Sequence, residues 1–405
     1  MRTRTKSALQ LALVCMLSSL AMQTSAVAQA RYGITDLGTL GGKNSIPIWI
    51  TNSGDVIGYS ETGQVDGSGN PIQHAFLWSK GMMQDLGTLG GNNSFALGGN
   101  EEGQIVGYAD VSGGATSHAV LWDEGSITDL GTLGGPDGFS YAQLINDKHQ
   151  IVGGSTTAEG TFHGVVWDRG VMTDLGTLGG PNSFGNGIND HGQIVGGDTI
   201  SDAVDPILGF PPYYGTLWDR GEIITLTPGV PAAAFNINNK SQVVGRILVP
   251  DPKEGGVAHA FLWQEGVLTD LGVPAGDDNS EANSLNNHGQ IVGDSGVGFI
   301  ESYAPDHALL WQNGGRIDLN TLIPGNSGYH LIVAFDVNAR GEIVVCAVQV
   351  SSGNIHAALL APQPESDVDN AGPSEADRAL PSISPRARRM LEHARRMKSG
   401  HGRGN

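Results

Sequence analysis

Apolar and polar residues along this chain come in short runs. Within the repeated region none keeps the 3.6-residue apolar period over the ten or more positions that a helix needs. Four kinds of run recur in fixed order, and each reads as a strand. Strand A is the Ser-to-Asn type of Ser183 to Asn189, strand B is Gln193-Ile194-Val195-Gly196, strand C is His74-Ala75-Phe76-Leu77-Trp78, and strand D is the Thr-Asp-Leu-Gly run around Asp85. Tight turns join A to B, as in Asn189-Asp190-His191-Gly192, and C to D, as in Asp168-Arg169-Gly170. A left-handed glycine closes the first of these as a turn with a bulge. His149 and Ser241 stand where that glycine belongs, so both predict local strain.

The unit repeats seven times. The Trp that ends strand C falls at Trp78, Trp122, Trp167, Trp218, Trp263 and Trp311, with spacings of 44, 45, 51, 45 and 48 residues, and Leu360 takes its place in a seventh copy. The A-to-B turns open at Thr51, Asn100, Asn146, Asn189, Asn238, Asn286 and Asn338, in the same phase. A four-stranded antiparallel unit of this size predicts an all-β, seven-bladed β-propeller. A solenoid is the other architecture for such a repeat, but it needs capping units. Here the repeat begins on a D strand, Ile34 to Leu37, and ends on a C strand, Ile355 to Leu360. Pairing the two completes the last blade from 330–361 plus 31–38, and removes both free sheet edges.

Outside residues 31–361 the pattern stops. Residues 1–30 carry Arg2, Arg4 and Lys6, then an apolar stretch from Ala8 to Ala21, then Ala28-Gln29-Ala30. This reads as a secretory signal cut before Arg31, and implies a secreted, extracellular or periplasmic protein. Residues 362–405 read as a disordered tail with an acidic, proline-rich start; the ordered alternative is a short basic surface helix at 386–398, which holds Met390, Leu391 and Met397. After cleavage Cys346 is the only cysteine, so no intrachain disulfide forms and the core alone must hold the fold.

Charge narrows the partners. Residues 31–361 hold 11 Lys+Arg against 35 Asp+Glu, a net of 11 − 35 = −24. That field repels nucleic acid and anionic membranes, and no stretch after the leader reads as a membrane span. Sixty-one glycines would suggest disorder, but they fall in phase with the repeat and mark turns.

The recurring His-Ala-Phe-Leu-Trp and Thr-Asp-Leu-Gly-Thr-Leu-Gly-Gly runs resemble the HAF-type extracellular repeat proteins of bacteria, over roughly 31–361. The resemblance implies export and repetition, and carries no reaction or catalytic residue. The copy at 214–227 departs from the pattern, with Tyr214 for His and Thr225 for Asp.

The candidate chemistry is mostly structural. His74, His118, His163, His259, His307 and His356 recur once per blade, which sets them on a ring too wide to share one metal ion. They read as hydrogen-bonding ties, to the repeated Asp or to a Ser. The six repeated Trp read as core or blade-interface residues. Asp66, Ser68 and Asn70 have the oxygen spacing that opens a calcium loop, but Pro71 and Leu77 stand where Gly and Glu are needed. No cofactor is otherwise implied. Asp277, Asp278 and Glu281 form a second acidic group.

Ligand contacts are expected from Trp49, which is off-pattern on the first A strand, and from the proline-stiffened aromatics Phe210, Tyr213 and Tyr214. Strand alternation sets the B–C loops and D–A linkers on one face, and these carry the variation in length. The favoured reading is a monomeric secreted binding module for an extracellular glycan or protein. A polysaccharide hydrolase or lyase with carboxylates at the channel mouth, and a structural surface protein, remain the alternatives.

Overall fold

A computed structural model describes residues 31–113, 116–205, 211–249, 256–298, 304–364 and 381–398. The proposed leader, 1–30, lies outside them. Among the described residues the strands form seven separate four-stranded antiparallel sheets. Blade 3 is typical: strands A to D are Ser140–Ile145, Ile151–Thr156, Phe162–Asp168 and Val171–Asp174, hydrogen-bonded in that order. The ring closes as the repeat phase requires. Arg31–Asp36 pairs antiparallel with Ile355–Gln363, with Ile34 opposite Leu360 and Asp36 opposite Ala358. It is therefore the outer strand of blade 7, beyond Tyr329–Val337 and Ile343–Gln349.

Every innermost strand is bulged. In blade 2 the register slips between Ala96 and Gly98, and in blade 3 between Ala142 and Leu144. The bulge explains the glycine that follows Val in strand B. A Cβ at Gly107 would collide with the Phe95 carbonyl, and one at Gly153 with the Tyr141 carbonyl. Blade 7 carries Val345 there, and its A strand has two bulges in place of one.

The core lies between blades. Ile57 and Ala75 of blade 1 pack with Ala96, Ile105, Val120 and Trp122 of blade 2, and Trp167 closes the next interface with Val106 and Ala119. Each fully buried aliphatic or aromatic side chain contributes on the order of 1.5–3 kcal/mol of burial, so the interfaces carry the stability that disulfides supply elsewhere.

Three features depart from a uniform ring. Both A–B turn residues expected to be strained have left-handed backbone, His149 at φ 62° and Ser241 at φ 58°. Each uses its side chain to hold the preceding blade: His149 Nδ1 is 2.7 Å from Gln104 Oε1, and Ser241 Oγ donates to Gln193 Oε1 at 2.7 Å. The third departure is the tail. Its composition predicts disorder, or at most a surface helix. Pro385–Lys398 instead forms a helix, α1, that buries Ala387, Met390, Leu391, Ala394 and Met397. These positions make one stripe at helical spacing. They join the core cluster that holds Ile48, Tyr59, Phe95, Leu97, Phe335 and Cys346, all on the inner strands of blades 7, 1 and 2.

Candidate functional site at the central channel

The repeated polar residues build the seams between blades. His74, His118, His163, His259 and His356 each place Nδ1 2.7–2.9 Å from the Asp of the following strand D, at Asp85, Asp129, Asp174, Asp270 and Asp36. The same carboxylates accept from the glycine N–H two residues on, as Asp85 does from Gly87 at 2.8 Å. The A-strand Ser completes the tie: Ser140 Oγ accepts from Ala119 N at 2.8 Å and donates to Gly131 O at 2.6 Å. One motif thus holds strand C, the linker and the next blade together. His307 differs, binding Asp277 at 3.1 Å while Asp318 caps a 3-10 turn. Blade 4, with Tyr214 and Thr225, keeps its four strands without the tie.

Trp122, Trp167, Trp218 and Trp311 are buried between blades, and Trp78 and Trp263 are partly buried. Asp66 directs its carboxylate into its own turn. Oδ1 accepts from Ser68 N and Asn70 N at 2.8 Å each, and Oδ2 from Asn70 Nδ2 at 3.1 Å. That accounts for the Asp66, Ser68, Asn70 spacing without an ion, and among the described residues no His, Cys, Asp and Glu cluster is arranged to hold a metal. Asp277 and Glu281 also separate. The first goes to His307 and Ser295, the second to Arg246 at 2.7 Å.

A further ring has its signal in the repeated A–B turns. Asn opens six of the seven A–B turns, and each donates Nδ2 to the backbone of the next blade: Asn100 to Asn146 O, Asn146 to Asn189 O, Asn189 to Asn238 O, Asn238 to Asn286 O, Asn286 to Asn338 O, and Asn338 to Thr51 O. Thr51 has no amide to pass on, so the circle is broken once. At the centre of this ring a cavity of about 250 Å³ opens on the A–B face, lined by turn residues of all seven blades. Trp49 is in its wall. Its indole fits because Gly99 stands beside it: a Cβ there would lie 2.8 Å from the ring. The rim carries Asn52, Glu101, Asp147, Asp190, Asn239 and Asn287, and Asp336 lies deeper. Burial, with the negative charges of Asp147 and Asp336, raises the Glu101 carboxyl.

The other end of the channel is occupied. Tyr59 Oη donates to Met390 O at 2.8 Å, and Tyr108 Oη lies 2.5 Å from His393 Nε2. Arg386 pairs with the buried Glu61, and Arg395 lies 3.4 Å from Glu281 and 3.8 Å from Asp294. Burial alone would raise the Glu281 carboxyl, but Arg395 and Arg246 outweigh it and hold it low. At the far end of α1, burial pushes Asp336 up against the pull of Lys398, Ser284 Oγ and Ile50 N. A helix of 14 residues is ~21 Å long. A six-residue strand spans ~20 Å, so α1 runs the depth of the ring, from the B–C mouth to the floor of the A–B cavity.

The B–C mouth, where loop variation pointed, is therefore filled by the chain itself. Tyr213 packs on Phe184 with ring centroids 5.0 Å apart and the planes tilted by 56°, and Tyr214 is partly buried in strand C. Both close blade 4, and Phe210 lies outside the described residues. The channel wall has its own sequence signal, which lies in the strands and not in the loops. The strand B residue after the bulge-facing position, which is Gly in six blades and Val345 in the seventh, is the variable one in a constant frame: Tyr59, Tyr108, Gly154, Gly197, Arg246, Asp294 and Cys346. Tyr59, Tyr108, Asp294 and Cys346 meet α1 or its core cluster. Gly154 and Gly197 leave room for the rings of Phe162 and Phe184.

These features define a seven-bladed β-propeller sealed by its own first strand and threaded by its own C-terminal helix. No family model and no curated protein sequence matches the chain. Solved propellers match its fold. The β-propeller domain of the Trilobed protease from Pyrococcus furiosus, described as having an open velcro topology, aligns with a TM-score of 0.55 at 9% identity, over 83% of this chain and 99% of that one. A puromycin-hydrolyzing peptidase of Mycobacterium tuberculosis aligns with a TM-score of 0.52 at 11% identity, over 87% of this chain and 54% of the peptidase. An oligogalacturonate lyase from Vibrio parahaemolyticus aligns at 0.49 and 10%, over 82% of this chain and 94% of the lyase. The likeness is one of fold. Among the described residues no helix is long and apolar enough to cross a membrane.

Proposed function

We propose that this chain is an exported, monomeric binding module of the HAF type, and that its ligand is an extracellular glycan held at the open A–B mouth of the channel. The observation that carries the reading is Trp49. It stands in a cavity whose rim is carboxamides and carboxylates and whose lining also includes Ile50, Leu144, Ile188, Ile237 and Leu285. An indole face takes the apolar side of a sugar ring, and the polar rim takes its hydroxyls. Export rests on the leader-like residues 1–30, and the acidic surface favours neutral or cationic polymers.

A glycan array probed with the mature protein, followed by calorimetry on the best oligosaccharide, tests this. Trp49 also packs on the core between blades 1 and 2, so Trp49→Ala should lower the melting temperature while keeping a cooperative transition, and should lower affinity at least tenfold. Binding that survives Trp49→Ala, or an array without hits, overturns it.

A further inference from the structure

The helix in the channel is held as a ligand is held. Its apolar stripe packs on Tyr59, Phe95 and Leu97, while its cations reach buried carboxylates. Glu61 and Asp294 are fully buried and Glu281 is 3% exposed. A buried carboxylate is tolerated only when paired, and Arg386 and Arg395 of α1 supply partners to all three. Residues 385–398 carry six Lys or Arg against one Glu, opposite a propeller of net charge −24.

The ring does not need α1 to close, because Arg31–Asp36 already completes blade 7. The outward side of the helix, with Arg388, Arg389 and Arg396, remains exposed. The wall that receives α1 is encoded separately from the repeat, at the variable B-strand position, where Tyr59, Tyr108 and Asp294 contribute to it.

We propose that the B–C mouth of the channel is a docking site for a basic amphipathic helix of a partner protein, and that α1 is its resident occupant, exchanged for that partner. The site reads two features together. One is an apolar stripe at i, i+3, i+4 and i+7, as in Ala387, Met390, Leu391 and Ala394. The other is a pair of guanidinium groups nine residues apart, as in Arg386 and Arg395. The proposal is independent of glycan binding at the opposite mouth.

The probe is a fluorescein-labelled synthetic peptide of residues 381–398, titrated by anisotropy against the full chain. Arg386→Glu with Arg395→Glu in the protein loosens the resident helix, and should raise affinity for the free peptide at least tenfold over wild type. A peptide carrying the same two reversals should not bind. Equal binding of the two peptides overturns the proposal, as does absence of binding to a loosened variant that still melts cooperatively. A dimer by light scattering would assign the site to a second copy's tail, and overturns it too. Hydrogen exchange on the wild-type chain gives a check free of any variant. Amides of α1 should exchange at least tenfold faster than those of Val56–Ser60, because an exchangeable helix opens without global unfolding; equal rates make α1 a fixed part of the core and overturn the proposal.

Discussion

His356 Nδ1 lies 2.8 Å from Asp36 Oδ2, between residues 320 positions apart in the chain. The pair spans the seam where the first strand completes the last blade. Burial alone would raise the Asp36 carboxyl. Hydrogen bonds from His356, Tyr329 and the Gly38 N–H outweigh it and hold it at about 2. A carboxylate depressed by folding stabilises the native state above its unfolded pKa, and the contribution is lost as pH falls through the folded value. Asp36→Asn should therefore cost about 1–2 kcal/mol at pH 7, allowing for partial exposure. Urea melts should show the deficit shrinking between pH 4 and pH 2.

Trp122 is buried between blades 1 and 2 at 4% exposure. Trp122→Ala should cost about 3–5 kcal/mol. Trp78, at the same repeat position but partly buried, should cost less. Equal losses in thermal or urea melts would contradict the interface assignment.

Thr51 breaks the ring of carboxamides at the A–B turns. Thr51→Asn supplies the missing donor to Asn100 O, and should gain about 0.5–1.5 kcal/mol, the net worth of one hydrogen bond. A melting temperature that stays level or falls would show that the turn at 51 cannot place the amide as its six counterparts do.

Ser241 holds left-handed backbone and a bond to Gln193 together. Ser241→Ala loses the bond and keeps the strain, so about 1 kcal/mol should be lost. Ser241→Gly loses the bond and relieves the strain, and should stay within a few tenths of wild type. If both variants melt alike, the backbone strain contributes nothing.

Asp198 stands where blades 1 and 3 have Ser60 and Ser155. It accepts from Leu178 N at 2.8 Å, as those serines accept from Leu40 and Leu133. Its other oxygen is buried without a partner. Burial raises its carboxyl to about 7. The folded state then binds a proton that the unfolded chain has released, so stability falls as pH rises from about 4 to 7. Asp198→Ser should be more stable than wild type above pH 7, with the advantage closing toward pH 4 in melts run across that range.

The sequence determined the ring. Period, strand order, turn type and the closing strand were all written in local patterns, because each blade is built from the same short-range rules repeated seven times. His356 and Asp36 could be matched across the chain because phase alone identified them as one unit. The strained turns at His149 and Ser241 were legible for the same reason.

What lies at the centre was decided only by the folded chain. The stripe of Met390, Leu391 and Met397 announces an amphipathic helix, but an apolar stripe packs on any complementary apolar wall. That wall exists only once Tyr59, Phe95, Leu97 and Phe335, from three blades, face one axis. The pairing of Arg386 with Glu61 and of Arg395 with Glu281 likewise depends on distances that no local period encodes, and so does the open mouth left for Trp49.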